Sequence, residues 1–238
     1  MRIVICLLLI IALEAHADAR QIFSPDSPTW MAAVGKLEVP GQKWENGDTS
    51  NYDEHCTATL IGSGFDRDSH YILSAWHCLE YYRDLSKPIL FSLPRAGITR
   101  EAFIVASGGG MSADWALLRL RRPVSLQQAQ PLPAYGAAKS DAQATLTMAG
   151  YSADENLGQA GAVLTYDAQC QQLATTANLV TTDCTAFKGA SGGPVVVRTG
   201  NSVQILGVIS AGDSRSRSLY VPTRLFVSTL RLYLPPPS

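Results

Sequence analysis

Apolar residues along this chain come in short runs broken by Gly, Pro, Asp and Ser. Six runs, Met31 to Leu37, Thr57 to Ile61, Tyr71 to Ala75, Ile89 to Leu93, Ala102 to Ala106 and Trp115 to Leu120, precede a second set. That set comprises Ala144 to Ala149, Ala162 to Tyr166, Pro194 to Arg198, Val203 to Ser210 and Ser218 to Pro222. All have the length of strands, and β-branched residues with turn formers at their borders predict antiparallel sheets. A helical period is clearest at Thr223 to Tyr233, where Leu225, Phe226, Thr229, Leu230 and Tyr233 recur at i, i+3 and i+4 spacing before three prolines. Between the two sets, Arg121 to Asp141 is rich in Pro, Gln, Ala and Ser and reads as a surface connection. The pattern predicts an all-β chain, either two β units or one sandwich, and does not choose between them.

The N-terminus departs from this pattern. Arg2 precedes an apolar run too short for a comfortable membrane span. Ala15-His16-Ala17 follows, with Ala17-Asp18-Ala19 as a second small-x-small site, so residues 1 to 17 or 19 read as a secretory signal. Cys6 leaves with that segment. Cys56, Cys78, Cys170 and Cys184 remain, an even set that in an exported chain predicts disulfides, with three connectivities open. Zinc competes for the same residues, but Cys-x-x-Cys and Cys/His knuckle spacings are missing, and no metal or other cofactor is expected. A formal net charge of −1 without a basic stripe argues against a nucleic-acid partner. No second apolar span follows, so no membrane partner is expected after signal cleavage; the mature chain is expected to be secreted or periplasmic, and a monomer.

Chemistry concentrates in Lys188-Gly-Ala-Ser-Gly-Gly-Pro194. Glycines at 189, 192 and 193 allow a tight turn and close approach of a bound group. A serine on such a turn, feeding the valine-rich strand after Pro194, is a candidate nucleophile with backbone N–H groups nearby for an oxyanion. The bland alternative is a glycine-rich loop. The segment also fits the nucleophile elbow of α/β-hydrolases, but that architecture needs a histidine after the serine. Here His16, His55, His70 and His77 all precede Ser191. His77 follows the apolar run Tyr71 to Ala75 and stands beside Cys78. If Cys78 pairs with Cys56, the bridge pins the segment carrying the imidazole, contributing about 3 kcal/mol through loop closure. Asp114 opens the apolar run Trp115 to Leu120; alone it would be an ordinary turn aspartate.

Together, the order His77, Asp114, Ser191 and its three local contexts resemble the chymotrypsin-like serine proteases, specifically their bacterial trypsin-like branch. Ser74-Ala-Trp-His-Cys78 resembles Thr-Ala-Ala-His-Cys, Asp114-Trp-Ala-Leu-Leu-Arg-Leu120 resembles Asp-Ile-Ala-Leu-Leu-Lys-Leu, and Gly189-Ala-Ser-Gly-Gly-Pro194 resembles Gly-Asp-Ser-Gly-Gly-Pro. Gly207-Val-Ile-Ser-Ala-Gly212 and Cys56-Thr-Ala-Thr-Leu-Ile61 extend the likeness, which covers roughly residues 28 to 232. The resemblance implies two antiparallel Greek-key β-barrels with a C-terminal helix, residues 20–125 carrying His77 and Asp114 and residues 126–238 carrying Ser191. It implies an endopeptidase acting on polypeptides, with His77 as base, Asp114 orienting it and Ser191 as nucleophile. Gly189 and Ser191 would form the oxyanion hole, and Ser210, Ala211 and Gly212 would pair with substrate backbone. The alternative is a non-catalytic homologue acting as a binding or regulatory module, although such proteins usually lose a triad member.

Departures from the family pattern are informative. Ala190 stands where activated relatives carry an aspartate that pairs with a newly cut N-terminus, and no Ile-Val-Gly-Gly-like start is present. That switch is therefore not expected. Thr185, at the position of the pocket floor, has no charge for an Arg or Lys substrate side chain, while the nearby Asp183 and Asp213 leave a basic preference open. Ile209 replaces the histidine of glutamyl-specific relatives. Cys170 and Cys184 are expected to bridge and brace this wall.

Overall fold

A computed structural model describes residues 18–63, 68–134, 144–200 and 202–234. The expected signal, apart from Asp18 and Ala19, lies outside them, as do the end of the Arg121–Asp141 connection and the terminal prolines.

Strand Ile89–Leu93 shows why these runs become sheet: Ile89, Phe91 and Leu93 are buried and alternate with half-buried neighbours, the two-residue period of a sheet with one core face. It belongs to a seven-stranded sheet ordered Val34–Glu45, Ile89–Leu93, Ile98–Ser107, Ala116–Val124, Ser69–Ser74, Asp48–Gly62 and Leu132–Pro133. Val34–Glu45 also pairs with Asp48–Gly62, which closes the sheet on itself. Pairing is antiparallel except where Leu132–Pro133 runs parallel to Ile61–Gly62. The second sheet has eight strands, in the order Gln21–Ile22, Thr165–Cys170, Leu146–Gly150, Pro194–Thr199, Ser202–Gly212, Ser218–Pro222, Val180–Thr182 and Gln172–Thr175. The Cys170–Cys184 disulfide and a hydrogen bond from Asp183 N–H to the Gln171 carbonyl (3.2 Å) join the region where this sheet curls round.

The protein is therefore mostly β, with two curled sheets and one C-terminal helix, the architecture implied by the resemblance. One core cluster fills the second barrel around Leu146, Met148, Val195, Leu206, Ile209 and Tyr220. The larger cluster fills the first barrel and continues across the junction to Val196, Val208, Val221, Phe226 and Leu230. The helix is shorter than the periodicity predicts: Thr223–Leu225 form a 3₁₀ turn and only Val227–Tyr233 are α-helical. Its segment packs back on the first barrel, with Phe226 stacked on Trp115 (ring centroids 4.8 Å apart) and Tyr233 Oη donating to the Val105 carbonyl (3.0 Å).

Two features exceed the apolar pattern. Val34–Glu45 and Asp48–Gly62 extend as a long hairpin around Asn46-Gly47, both at positive φ. Gln172–Thr175 and Val180–Thr182 form a second hairpin in a stretch without a strong hydrophobic signal.

Candidate active site

His77 lies one short turn beyond strand Ser69–Ser74, at the start of the 3₁₀ turn His77–Leu79. The Cys56–Cys78 disulfide ties this turn to strand Asp48–Gly62. Asp114 precedes strand Ala116–Val124 and is completely buried. Its Oδ1 accepts a hydrogen bond from the His77 backbone N–H (2.8 Å), and its Oδ2 lies 2.8 Å from His77 Nδ1. The same Oδ2 accepts the hydroxyl of Ser210 at 2.5 Å. A buried carboxylate is thus satisfied from both barrels, as burial of a charge requires.

The imidazole is left 23% exposed. Burial acts against its charged form, but the hydrogen bond to Asp114, the charge of Asp114 and the more remote Glu54 and Glu80 outweigh that effect and raise the His77 pKa above its ordinary value. With Nδ1 committed to Asp114, Nε2 is the nitrogen available for proton exchange.

Ser191 lies on a turn whose shape depends on Gly189 (φ +90°) and Gly192 (φ +85°), values that strain residues with a Cβ. At Gly192 a Cβ would also stand 2.1 Å from the Thr57 carbonyl oxygen. The turn is hydrogen-bonded along its length. Ala190 N–H donates to Phe187, Gly193 N–H to Ala190 and Gly192 N–H to Ile209, while the carbonyls of Lys188 and Ser191 accept from Ala153 and Thr57. By contrast, the N–H groups of Gly189 and Ser191, and the Ser191 hydroxyl, have no acceptor or partner among the described residues. Two open donors beside an unpaired hydroxyl form an arrangement suited to receiving an oxyanion. Cys78 Sγ lies 3.9 Å from His77 Nε2 and 4.0 Å from the Ser191 carbonyl oxygen, so the histidine and serine segments meet over this disulfide.

Thr57 joins the two halves of the candidate site, a place its sequence context does not announce. Fully buried, it donates from N to Ser191 O (2.8 Å) and from Oγ1 to Gly189 O (2.7 Å), while Oγ1 accepts Tyr151 N–H (2.9 Å). Its own carbonyl accepts Ser74 Oγ (2.8 Å). One first-barrel residue thereby fixes two carbonyls of the Ser191 turn. Its one sequence sign is its place beside Cys56 in Cys-Thr-Ala-Thr-Leu-Ile, which does not name its partners.

The expected substrate-binding residues divide. Ser210 lies at a register shift, where Ile209 pairs with Tyr220 but Ala211 with Leu219, and the bulge accompanies the turning of its hydroxyl onto Asp114. Ala211 and the exposed Gly212 continue the strand. Thr185 is buried, its N–H donating to Asp167 (3.0 Å) and its hydroxyl to the Arg215 carbonyl (2.8 Å). Ser218 Oγ donates to Cys184 O (2.8 Å), and a Cβ on Gly212 would come within 2.5 Å of the Ala186 carbonyl oxygen. Segments 184–186 and 212–218 therefore run in close contact. A cavity of about 440 Å³ opens beside them, lined by Asp18, Asn156, Thr185, Phe187, Arg215 and Ser216 among others.

Asp183 and Asp213 are exposed and serve their own loops: Asp183 accepts Gln171 N–H, and one oxygen of Asp213 accepts the N–H groups of Arg215, Ser216 and Arg217. Ala190 is buried in the apolar core of the second barrel, where a carboxylate would have to find a new partner. Cys56, His77 and Cys78 bring ligand-type atoms within 4.8 Å of one another, but both sulfurs are spent in the disulfide. Among the described residues no helix is long and apolar enough to cross a membrane.

Two β-barrels meeting at a histidine, a buried aspartate and a serine on a glycine turn define the chymotrypsin-like class. The trypsin family model matches residues 22–229, and the chain belongs to that family of serine proteases, which act on polypeptides. No curated protein matches the sequence.

Proposed function

We propose that this protein is an exported serine endopeptidase working through an acyl-enzyme. Residues 20–125 would supply base and acid, residues 126–238 the nucleophile, and the N-terminal segment would be removed on export. As Ser191 Oγ attacks the scissile carbonyl carbon, its proton passes to His77 Nε2. Asp114 holds the ring through Nδ1 and stabilises the imidazolium. The carbonyl π bond opens into an oxyanion facing the N–H groups of Gly189 and Ser191, each worth about 3 kcal/mol in comparable sites. Collapse of the intermediate breaks the C–N bond, and His77 returns the proton to the leaving amine. Water, deprotonated by the same histidine, then attacks the ester and releases Ser191. Ser210 to Gly212 would hold the peptide as an added strand.

The observation that carries this reading is the pair of open N–H donors flanking Ser191, in the half of the site opposite an imidazole of fixed orientation. A fluorophosphonate is expected to label the purified protein and to spare Ser191→Ala; an unlabelled wild type would favour a binding module instead. Profiling the active protein on a peptide library completes the test. The close approach of Gly212 to Ala186 leads us to expect Gly, Ala or Ser before the cleaved bond over Arg or Phe.

A further inference from the structure

Arg20 is buried, with only 2% of its side chain exposed, yet it has no part in the chemistry above. Its guanidinium donates from Nε and Nη2 to Asp18 (2.9 and 2.5 Å) and from Nη1 and Nη2 to Asp154 (2.8 and 3.0 Å). The same group lies 4.0 Å from the centre of the Phe187 ring. The planar fork thus meets both oxygens of Asp154 while its face covers an aromatic ring, a combination peculiar to arginine, and Asp18 adds a second carboxylate only where cleavage after Ala17 retains it.

Both contacts lead to the Ser191 turn. Asp154 organises the loop after Tyr151: its side chain accepts Gly158 N–H (3.1 Å) and its carbonyl accepts Ala160 N–H (2.9 Å). In that loop Ala153 N–H donates to Lys188 O at 2.7 Å. A trans peptide carries its C=O and N–H on opposite sides. Tying the Lys188 carbonyl to Ala153 therefore fixes the direction of the Gly189 N–H. Phe187, under the guanidinium, is the residue before Lys188, and its carbonyl accepts Ala190 N–H (3.1 Å). Arg20 is itself anchored, because Gln21–Ile22 pairs with Thr165–Tyr166 and Phe23 N–H donates to Leu164 O (2.9 Å). Since Ala190 offers the turn no charge of its own, the charged support comes from outside it.

We propose that Arg20 is a positioning residue for the oxyanion hole, clamping Asp154 to Phe187 so that the Lys188–Gly189 peptide is held with its N–H open to substrate. The inference rests on the assignment of the Gly189 and Ser191 N–H groups as that hole. A merely structural arginine would affect stability; a positioning one must affect transition-state binding selectively. The test compares wild type, Arg20→Met, Arg20→Lys and Asp154→Asn, all at a temperature where each is folded. It follows fluorophosphonate labelling, the kcat and KM of a peptide substrate, and affinity for a peptide aldehyde against that for the product peptide. The aldehyde forms a hemiacetal with Ser191 whose oxygen occupies the hole, whereas the product peptide needs only the strand contacts.

For Arg20→Met, kcat and aldehyde affinity are expected to fall about 100-fold, the usual cost of one lost donor, with KM and product affinity nearly unchanged. Arg20→Lys should recover part of the loss, since an ammonium can reach Asp154 but cannot pair with both its oxygens while covering the Phe187 ring. Asp154→Asn should show the same selective pattern more weakly, and it decides the matter if Arg20→Met does not fold. Wild-type kcat in folded variants, or equal losses for aldehyde and product, would overturn the clamp. A wild type without Ser191-dependent labelling would overturn the enzymatic reading and the clamp with it; normal labelling of both wild type and Arg20→Met would overturn the clamp alone.

Discussion

The barrel that carries His77 and Asp114 settles the hydrogen bonds that orient its proposed base and acid, whereas the barrel that carries Ser191 leaves its donors open. Asp114 receives the His77 backbone N–H, the imidazole and the Ser210 hydroxyl, and lies out of solvent. Across the cleft, Gly189 and Ser191 present N–H groups without acceptors, on a turn whose carbonyls at 188 to 191 are all bonded. Local backbone follows the same division: the histidine stands on a short 3₁₀ turn, the serine between two positive-φ glycines. A base must keep one orientation through the cycle, which the bond from Nδ1 to a fully satisfied Asp114 provides while Nε2 stays free. An oxyanion hole must hold its dipoles in place while leaving them unused, so the constraint has to come through the carbonyls.

This contrast can be broken from either side. Asp114→Asn strikes the settled half: the amide cannot accept from both His77 and Ser210 with the same charge, and kcat is expected to drop about 10⁴-fold, the scale known for this substitution in triads. Burst kinetics with an activated ester would locate the loss in acylation. Thr57→Val strikes the stitch between halves, leaving Gly189 O and Tyr151 N–H without their shared hydroxyl. Burying them unpaired should cost about 2 kcal/mol of stability by denaturant melt, accompanied by a smaller fall in kcat than Asp114→Asn causes. Gentlest is a change of pH. The His77 pKa is raised, so the protonated, inactive form persists higher than for a free imidazole, and the acid limb of kcat/KM should lie above about pH 6.5. A limb at or below that value would mean that Asp114 does not hold the ring charged in solution.

What was legible in the sequence follows the same physics. Runs such as Ile89 to Leu93 announced themselves because alternate side chains enter a core, and His77, Asp114 and Ser191 because each lies in a short recognisable context. The hairpin around Asn46-Gly47 was missed because its outer half is exposed, as Trp44 at 74% shows, and leaves no apolar alternation; the Asn-Gly pair was its one usable sign. The contacts of Arg20, Thr57 and Asp154 are not legible in the sequence, for another reason. The roles proposed for them rest on contacts across the fold, Arg20 to Asp154 and Thr57 to Gly189, and neither spacing nor composition encodes such partners.

The return of the C-terminal segment to the first barrel has a consequence in time. Trp115, the residue after Asp114, is covered by Phe226, and Val105 is held by Tyr233. A chain emerging from its N-terminus therefore produces the histidine, the aspartate and the serine before the residues that close the wall behind the aspartate. In the proposed enzyme, activity would then be a property of the finished polypeptide, because an interrupted copy would carry the three proposed catalytic side chains without the wall behind Asp114.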